Sequence, residues 1–129
     1  MEITVGLKGT VTETVNENIT AEKVGSGSLP VFATPMMVAL MEKAACKALE
    51  NSLDEGTTSV GTMVNIEHVA ATPVGMEVTV TATVTAVDGR KICFSVEAFD
   101  EVGLIGKGTH DRFIVNAEKF TAKTYAKKQ

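Results

Sequence analysis

Apolar residues between positions 31 and 53 recur at helical spacing, and this is the one long stretch of the chain with that pattern. Pro35 suits the first turn of a helix, where no N–H is needed, and Thr34 before it is the predicted N-cap. The polar side chains form a narrow stripe at helical spacing: Lys43, Lys47, Glu50 and Asp54. The rest of the circumference is apolar, which predicts that other elements wrap the helix.

The remaining chain alternates polar and apolar residues with a period of two, which is typical of β-strands. Strands are predicted over residues 3–15, 57–71, 76–87, 90–100 and 104–115, and the first of them is either continuous or broken near Gly6 or Gly9. Asp88-Gly89 is a hairpin signal, and residues 72–75 and 101–103 are further turns. Alternation in 57–71 predicts two faces, one with Val60, Thr62, Val64, Ile66, His68 and Ala70, the other with Ser59, Gly61, Met63, Asn65 and Glu67.

These elements predict one α+β domain over residues 1–116, followed by a basic C-terminal tail. Short connections force the last four strands into an antiparallel meander, and the helix needs that sheet as its cover. A curled antiparallel sheet around one long helix is the hotdog fold. Its uncovered strand edges predict a homodimer, or a pair of such dimers. The Gly/Ser-rich loop at 25–30 is either a lid or a plain surface connection.

The tail at 117–129 carries four lysines and one glutamate and is predicted to be a frayed helix or an extended strap. Whether it contacts the phosphates of a ligand is left open by the sequence.

Composition narrows the classes of function. A net charge of −4 and an aromatic content of 5% argue against binding of nucleic acid. No apolar run reaches the roughly 20 residues that span a bilayer, and no signal sequence opens the chain. Cys46 and Cys93 lack the spacing of a metal or redox motif, so we expect both to be buried, in a cytoplasmic protein without a metal.

Three residues near the helix and the second predicted strand could carry chemistry: Thr34, Glu42 and His68. Each has a plain structural explanation, namely a helix cap, a buried ion pair and a core histidine. Together they supply the hydroxyl, carboxylate and imidazole used in nucleophilic or general-base hydrolysis. Thr34 and Glu42 are separated by about 12 Å along the helix, so a second chain or a bound ligand must join them.

A second cluster lies at Gly108-Thr109-His110-Asp111-Arg112. Alternation places His110 and Arg112 on one face with Gly106 and Gly108, where glycine permits close approach of a ligand or another chain. Arg112 either binds a phosphate or carboxylate, or is a solvated surface residue. No glycine-rich phosphate-binding motif is present in the sequence.

Three stretches are similar to the hotdog-fold fluoroacetyl-CoA thioesterase-like family, across roughly residues 5–116. They are PVFATPMMVALMEKAA, GTMVNIEHVAATPVGMEVTVTATVTAVDGRKICFSVEAFD and IGKGTHDRFIV. The resemblance implies a dimeric acyl-CoA thioester hydrolase that uses no cofactor beyond the CoA of its substrate. It places the family's catalytic residues on Thr34, Glu42 and His68, and two positions near the thioester on Gly61 and Arg112.

The resemblance also implies an aromatic lid residue before the helix in the member that acts on fluoroacetyl-CoA. Residues 24–29 contain no aromatic side chain, and Phe32 is the first one that follows. We therefore expect a general short-chain acyl-CoA as the substrate. Two alternatives are a non-catalytic acyl-CoA-binding protein and, less favoured, a hydratase, whose usual Asp/His pairing is not visible around the helix.

Overall fold

The computed structural model describes residues 2–129 and confirms the α+β hotdog arrangement, with five antiparallel strands packed on one long helix. The strands are β1 (Lys8–Thr14), β2 (Thr57–His68), β3 (Glu77–Asp88), β4 (Lys91–Phe99) and β5 (Leu104–Asn116). The helices are α1 (Ala21–Val24), α2 (Thr34–Leu49) and α3 (Ala117–Tyr125), with 3-10 turns at Glu17–Ile19 and Ala126–Lys128. The strand order is β1-β3-β4-β5-β2, so β1 and β2 are the edges.

The core lies between α2 and the inner face of the sheet. The residues that α2 buries are Met37, Leu40, Met41, Ala44, Ala45, Ala48 and Leu49. Alternate residues of β3 and β4 face them: Val78, Val80, Ala82, Val84, Ile92, Phe94, Val96 and Ala98. Gly9 of β1 lets the helix backbone come close, because a Cβ there would collide with backbone atoms of Ala44 and Ala48.

The prediction that the sheet wraps the whole apolar circumference of the helix is wrong for the single chain. Ala39 and Cys46 are exposed, and Val38 is only half-buried. The reason is that α2 packs mainly against β1 and β3, whereas β2 lies at the far edge of the sheet. One flank of α2 is therefore open. The prediction that both cysteines are buried is also wrong, since Cys46 is exposed and Cys93 is only partly buried.

The helix begins and ends inside its predicted bounds of 31–53. Val31 and Phe32 form isolated β-bridges, which hold them extended. Ala33 is the N-cap, so the prediction of Thr34 as the cap is wrong, and Thr34 is the first helical residue. The hydroxyl of Thr34 therefore makes no capping hydrogen bond at the N-terminus of α2. After Leu49 the chain turns, and Gly56, with a φ of +82°, leads into β2.

The predicted faces of β2 are correct only for its second half. The pairing of β2 with β5 shifts between Gly61 and Met63, which marks a β-bulge. One extra residue reverses the alternation, so Ser59 and Gly61 face the helix before the bulge, and Ile66 and His68 do so after it. The first predicted strand is broken at Gly6, as one of its alternatives required, because Gly6 turns the chain with a φ of +96° before β1 begins at Lys8.

The tail begins as a helix, as one of the two predicted forms required. Asn116 caps α3, its side chain accepting from the N–H of Lys119 at 2.9 Å. No α3 residue is buried.

Candidate active site

Thr34 lies at the start of α2, where hydrogen bonds fix the preceding chain. The N–H of Phe32 donates to the carbonyl of Thr72 at 2.9 Å. The hydroxyl of Thr72, itself buried, donates to Asp100 in the β4–β5 turn at 2.8 Å. The side chain of Thr34 is exposed, so a ligand can reach it. The backbone just before it is held by the hydrogen bonds described above.

His68 ends β2 and meets Thr34 in a short hydrogen bond, with 2.7 Å between Thr34 Oγ1 and His68 Nδ1. Burial lowers the pKa of His68 below its usual 6.5, and the backbone of Ala70 offsets part of that shift. Nε2 is shielded from solvent, and no described group satisfies it with a well-formed hydrogen bond. The imidazole is therefore neutral at pH 7. With its proton on Nε2, it can accept the Thr34 proton at Nδ1.

An open pocket of about 280 Å³ lies over this pair. Ala21 of α1 and Ser26 of the following loop form one wall. Phe32 lies beneath, only 2% exposed, with its ring meeting His68 edge to face at 6.2 Å between centroids. The aromatic ring that contacts His68 thus lines the pocket, and the 24–29 loop contributes the small side chain of Ser26.

A larger opening of about 890 Å³ lies at the other end of α2, beside Lys43 and Lys47. It contains neither Thr34 nor His68. The smaller pocket is the candidate site, because the hydroxyl and imidazole converge there.

Glu42 lies near the middle of α2 and contacts Arg112 of β5, with 3.5 Å between Oε2 and Nη1. The Glu42 side chain is 42% exposed, whereas Arg112 as a whole is only 6% exposed. Arg112 also donates from Nε to the Ser59 hydroxyl at 2.8 Å and from Nη2 to the Ser59 carbonyl at 3.0 Å. Arg112 is therefore a buried cation that is held by several acceptors, and the solvated alternative is wrong.

His110 completes this second group. Its Nε2 lies 3.2 Å from Arg112 Nη1, and its Nδ1 lies 2.8 Å from the carbonyl oxygen of Met63. The imidazole is 1% exposed and stacks on Phe94. Gly61 lies opposite Arg112 in the sheet, and a Cβ there would be 2.5 Å from Glu42 Oε2. Glycine at this position therefore leaves the space that the carboxylate fills.

Within one chain the predicted site residues form two separate groups. Thr34 and His68 come together at one end of α2, and Glu42, Gly61 and Arg112 come together farther along it. No hydrogen bond among residues 2–129 links the groups, in agreement with the separation expected from helical rise. Nor do three His, Cys, Asp or Glu side chains converge there as metal ligands would.

Ser59 and His110 received no functional role from the sequence. Simple alternation assigned Ser59 to the face away from the site, and the bulge that reverses this has no clear sequence signal. His110 was placed correctly on the face of Arg112. That shared face was the signal available, since neighbouring polar residues on a buried face must form hydrogen bonds with one another.

Across the described chain, no helix combines the length and hydropathy that crossing a bilayer requires.

Comparison with known proteins shows the family of the chain. The family model for FlK, the fluoroacetyl-CoA-specific thioesterase, matches residues 15–118. The fluoroacetyl-CoA thioesterase of Streptantibioticus cattleyicolor is 47% identical over 97 residues, 75% of this chain and 70% of that protein. A solved structure of the fluoroacetyl-CoA thioesterase FlK has a TM-score of 0.92 and 39% identity, covering 98% of each chain.

A protein of Thermus thermophilus, described as a thioesterase superfamily member, has a TM-score of 0.90 and 32% identity. That match covers 98% of this chain and 94% of the other. The fold and the family expected from the three sequence stretches are both confirmed. The chain therefore belongs to the fluoroacetyl-CoA-specific thioesterase family.

Proposed function

We propose that the chain hydrolyses short-chain acyl-CoA thioesters, with Thr34, His68 and Glu42 as its catalytic residues. The observation that carries the proposal is the 2.7 Å contact between the exposed Thr34 hydroxyl and a neutral imidazole. A hydroxyl beside a base that is ready to take its proton is the arrangement that nucleophilic and general-base hydrolysis both need.

In the nucleophilic route, His68 Nδ1 takes the proton from Thr34 Oγ1 as that oxygen attacks the thioester carbonyl carbon. The C–S bond then breaks, and the imidazolium returns the proton to the CoA sulfur. Water, deprotonated by His68, hydrolyses the acyl-threonine ester and frees the acid and the hydroxyl. In the general-base route, Thr34 holds the water that His68 deprotonates. Neither route calls on a cofactor beyond the CoA of the substrate.

The oxyanion of either route has one backbone donor available at the start of α2. Pro35 has no N–H, and the N–H groups of Met36 and Met37 both donate to the carbonyl of Ala33 at 3.0 Å. The N–H of Thr34 has no acceptor among residues 2–129. We propose that it binds the thioester oxygen, aided by the positive end of the helix dipole.

A short acyl chain is supported by the pocket and by the relatives. The FlK structures include complexes with acetyl-CoA and with fluoroacetate. A pocket of about 280 Å³ beside Phe32 and Ser26 suits acyl groups of that size. Because the 24–29 loop places no aromatic side chain over the pocket, we propose that fluoroacetyl-CoA is not preferred to acetyl-CoA.

The active unit is proposed to be a homodimer joined through β2. This strand is twelve residues long, lies at the edge of the sheet and exposes Met63 and Val64. Pairing of β2 with its copy would cover that edge and the open flank of α2. An antiparallel arrangement brings Glu42 of one protomer towards Thr34 and His68 of the other, which removes the separation seen within one chain. The unpaired cysteines favour a reducing compartment, and we propose the cytoplasm.

Release of free thiol from a panel of acyl-CoAs tests the activity. We expect turnover of the shortest acyl chains, similar rates for acetyl- and fluoroacetyl-CoA, and a molar mass twice that of the chain in solution. Binding of acyl-CoA without any release of thiol would contradict hydrolysis and would support the alternative of a binding protein.

A further inference from the structure

We infer that Ser59 and His110 are positioning residues, which hold Arg112 so that it fixes one oxygen of the Glu42 carboxylate for thioester hydrolysis. The inference rests on the proposed function, because that proposal counts Glu42 among the catalytic residues. It adds a task at Glu42 to Gly61 and Arg112, which the family resemblance places near the thioester.

The hydrogen bonds of Arg112 support this. A guanidinium has five N–H donors. Two of them, on Nε and Nη2, go to Ser59 Oγ and the Ser59 carbonyl, and the two on Nη1 point to His110 and Glu42. One N–H is left on a residue that is 6% exposed. Four of the five donors therefore hold Arg112 in place and tie it to the Glu42 carboxylate, and one remains for a ligand.

The tautomer of His110 is set by its surroundings. Nδ1 faces the Met63 carbonyl, which only accepts hydrogen bonds, so Nδ1 carries the proton. Nε2 is then the acceptor for Arg112 Nη1. A neutral histidine thus provides an acceptor beside a buried cation without adding a second positive charge. Stacking on Phe94 holds the ring in this orientation.

The carboxylate of Glu42 is confined on the Arg112 side and open on the other. Oε2 lies against Arg112 and against the space left by Gly61, where a Cβ would come within 2.5 Å. Oε1 has no hydrogen-bond partner among residues 2–129, and the side chain is 42% exposed. One oxygen is therefore held while the other faces the open flank of α2, where we propose that the partner protomer packs.

Two substitutions of His110 separate its two hydrogen bonds. His110→Gln keeps an acceptor at the place of Nε2, and His110→Asn keeps only a donor at the place of Nδ1. We expect His110→Asn to lower kcat for acetyl-CoA about tenfold or more with KM nearly unchanged, because a displaced catalytic group costs turnover. His110→Gln should stay within about threefold of the wild type. Equal losses in both variants would overturn the assignment.

Ser59→Ala gives a second, less disruptive variant, because it removes one hydroxyl from Arg112 without a change in ring packing. Its matched control is Thr58→Ala, which removes an exposed hydroxyl one residue earlier in β2. Ser59→Ala should lower kcat and Thr58→Ala should not. A melting temperature that falls in Ser59→Ala while kcat per folded molecule stays unchanged would show a purely structural role and overturn the inference.

A double-mutant cycle with Glu42→Gln asks whether His110 acts through Glu42. His110→Asn should add no further loss of kcat in the Glu42→Gln background, because residues of one network are not additive. A full additional loss would contradict the inference.

Imidazole and guanidinium ¹⁵N NMR separates the inference from the proposed function. Protonation of His110 at Nδ1 and a slowly exchanging Arg112 Nε–H should be seen even if no acyl-CoA is turned over. Their absence would refute the hold of Ser59 and His110 on Arg112, and would leave the proposed function untouched.

Discussion

The two ends of the site are built in different ways. Thr34 and His68 share one hydrogen bond over an open pocket, and their positions are set mainly by the backbone before α2 and at the end of β2. Glu42 instead contacts Arg112, which is itself held by hydrogen bonds to Ser59 and His110. A hydroxyl–imidazole pair needs access to substrate. A buried cation needs every neighbour satisfied, because an unpaired polar group in the interior is costly.

This contrast predicts that the first group controls the chemical step most strongly. His68→Ala should lower kcat at least 100-fold, because the proton acceptor is lost. Thr34→Ala should have an effect of similar size, whereas Thr34→Ser, which keeps the hydroxyl, should retain most activity. Thiol release under saturating acetyl-CoA measures both. Full activity of a folded His68→Ala variant would show that His68 is not the base.

Gly61→Ala tests the second group, formed by Glu42, Gly61 and Arg112, without substituting a charged residue. The new Cβ would push the flexible end of Glu42 away, so we expect kcat to fall about tenfold or more. The free energy of unfolding should change by only about 1 kcal/mol, since a side-chain end can move. Gly103→Ala is the matched control, because a Cβ at Gly103 meets nothing within 4 Å. Unchanged kcat in Gly61→Ala would mean that Glu42 does not need its observed position.

Arg112→Lys should cost stability as well as turnover. A lysine keeps the charge but cannot reach Ser59 and His110 together, because it lacks the planar fork of the guanidinium. We expect a loss of about 1–3 kcal/mol in the free energy of unfolding, from buried acceptors left unpaired. The exposed Glu42 contact adds little to that figure. Urea unfolding followed by circular dichroism provides the value, and a variant as stable as the wild type would argue against a tightly held arginine.

The smallest expected effect is a displaced pH profile. Because the pKa of His68 is below 6.5 in the folded protein, its base form persists to lower pH than in a free histidine. Activity should therefore rise with pH through a midpoint below 6.5 and be flat near neutrality. Protonation is also disfavoured in the fold, so stability should fall as pH drops below 6.5. An acid midpoint above 6.5 in kcat/KM would point to another group as the base.

The sequence predicted the architecture well, because periodicity and turn residues carry that information. The strands, the hairpin at Asp88-Gly89 and the shared face of His110 and Arg112 follow from local rules. The ends of α2 did not, since Val31 and Phe32 are held extended by bridges to distant residues, which local propensity cannot reveal. The bulge after Gly61 likewise hid the inward direction of Ser59.

The candidate site could be predicted as a set of residues but not as an arrangement. Residue chemistry and the family resemblance together indicated Thr34, Glu42 and His68, and helical rise correctly indicated that Thr34 and Glu42 do not meet in one chain. The contact of Glu42 with Arg112 joins residues seventy positions apart, and it depends on how the fold places β5 relative to α2. Such long-range contacts are fixed by the fold, so the sequence pattern alone does not contain them.

The central claim is that the two groups act together across two protomers, and mixing inactive variants tests it most directly. Glu42→Gln and His68→Ala protomers would be co-expressed, and thiol release from acetyl-CoA would be compared with each variant alone. If Glu42 of one chain serves His68 of the other, mixed dimers contain one intact site, and about a quarter of wild-type activity should return. Activity no higher than the average of the two parents would contradict the account.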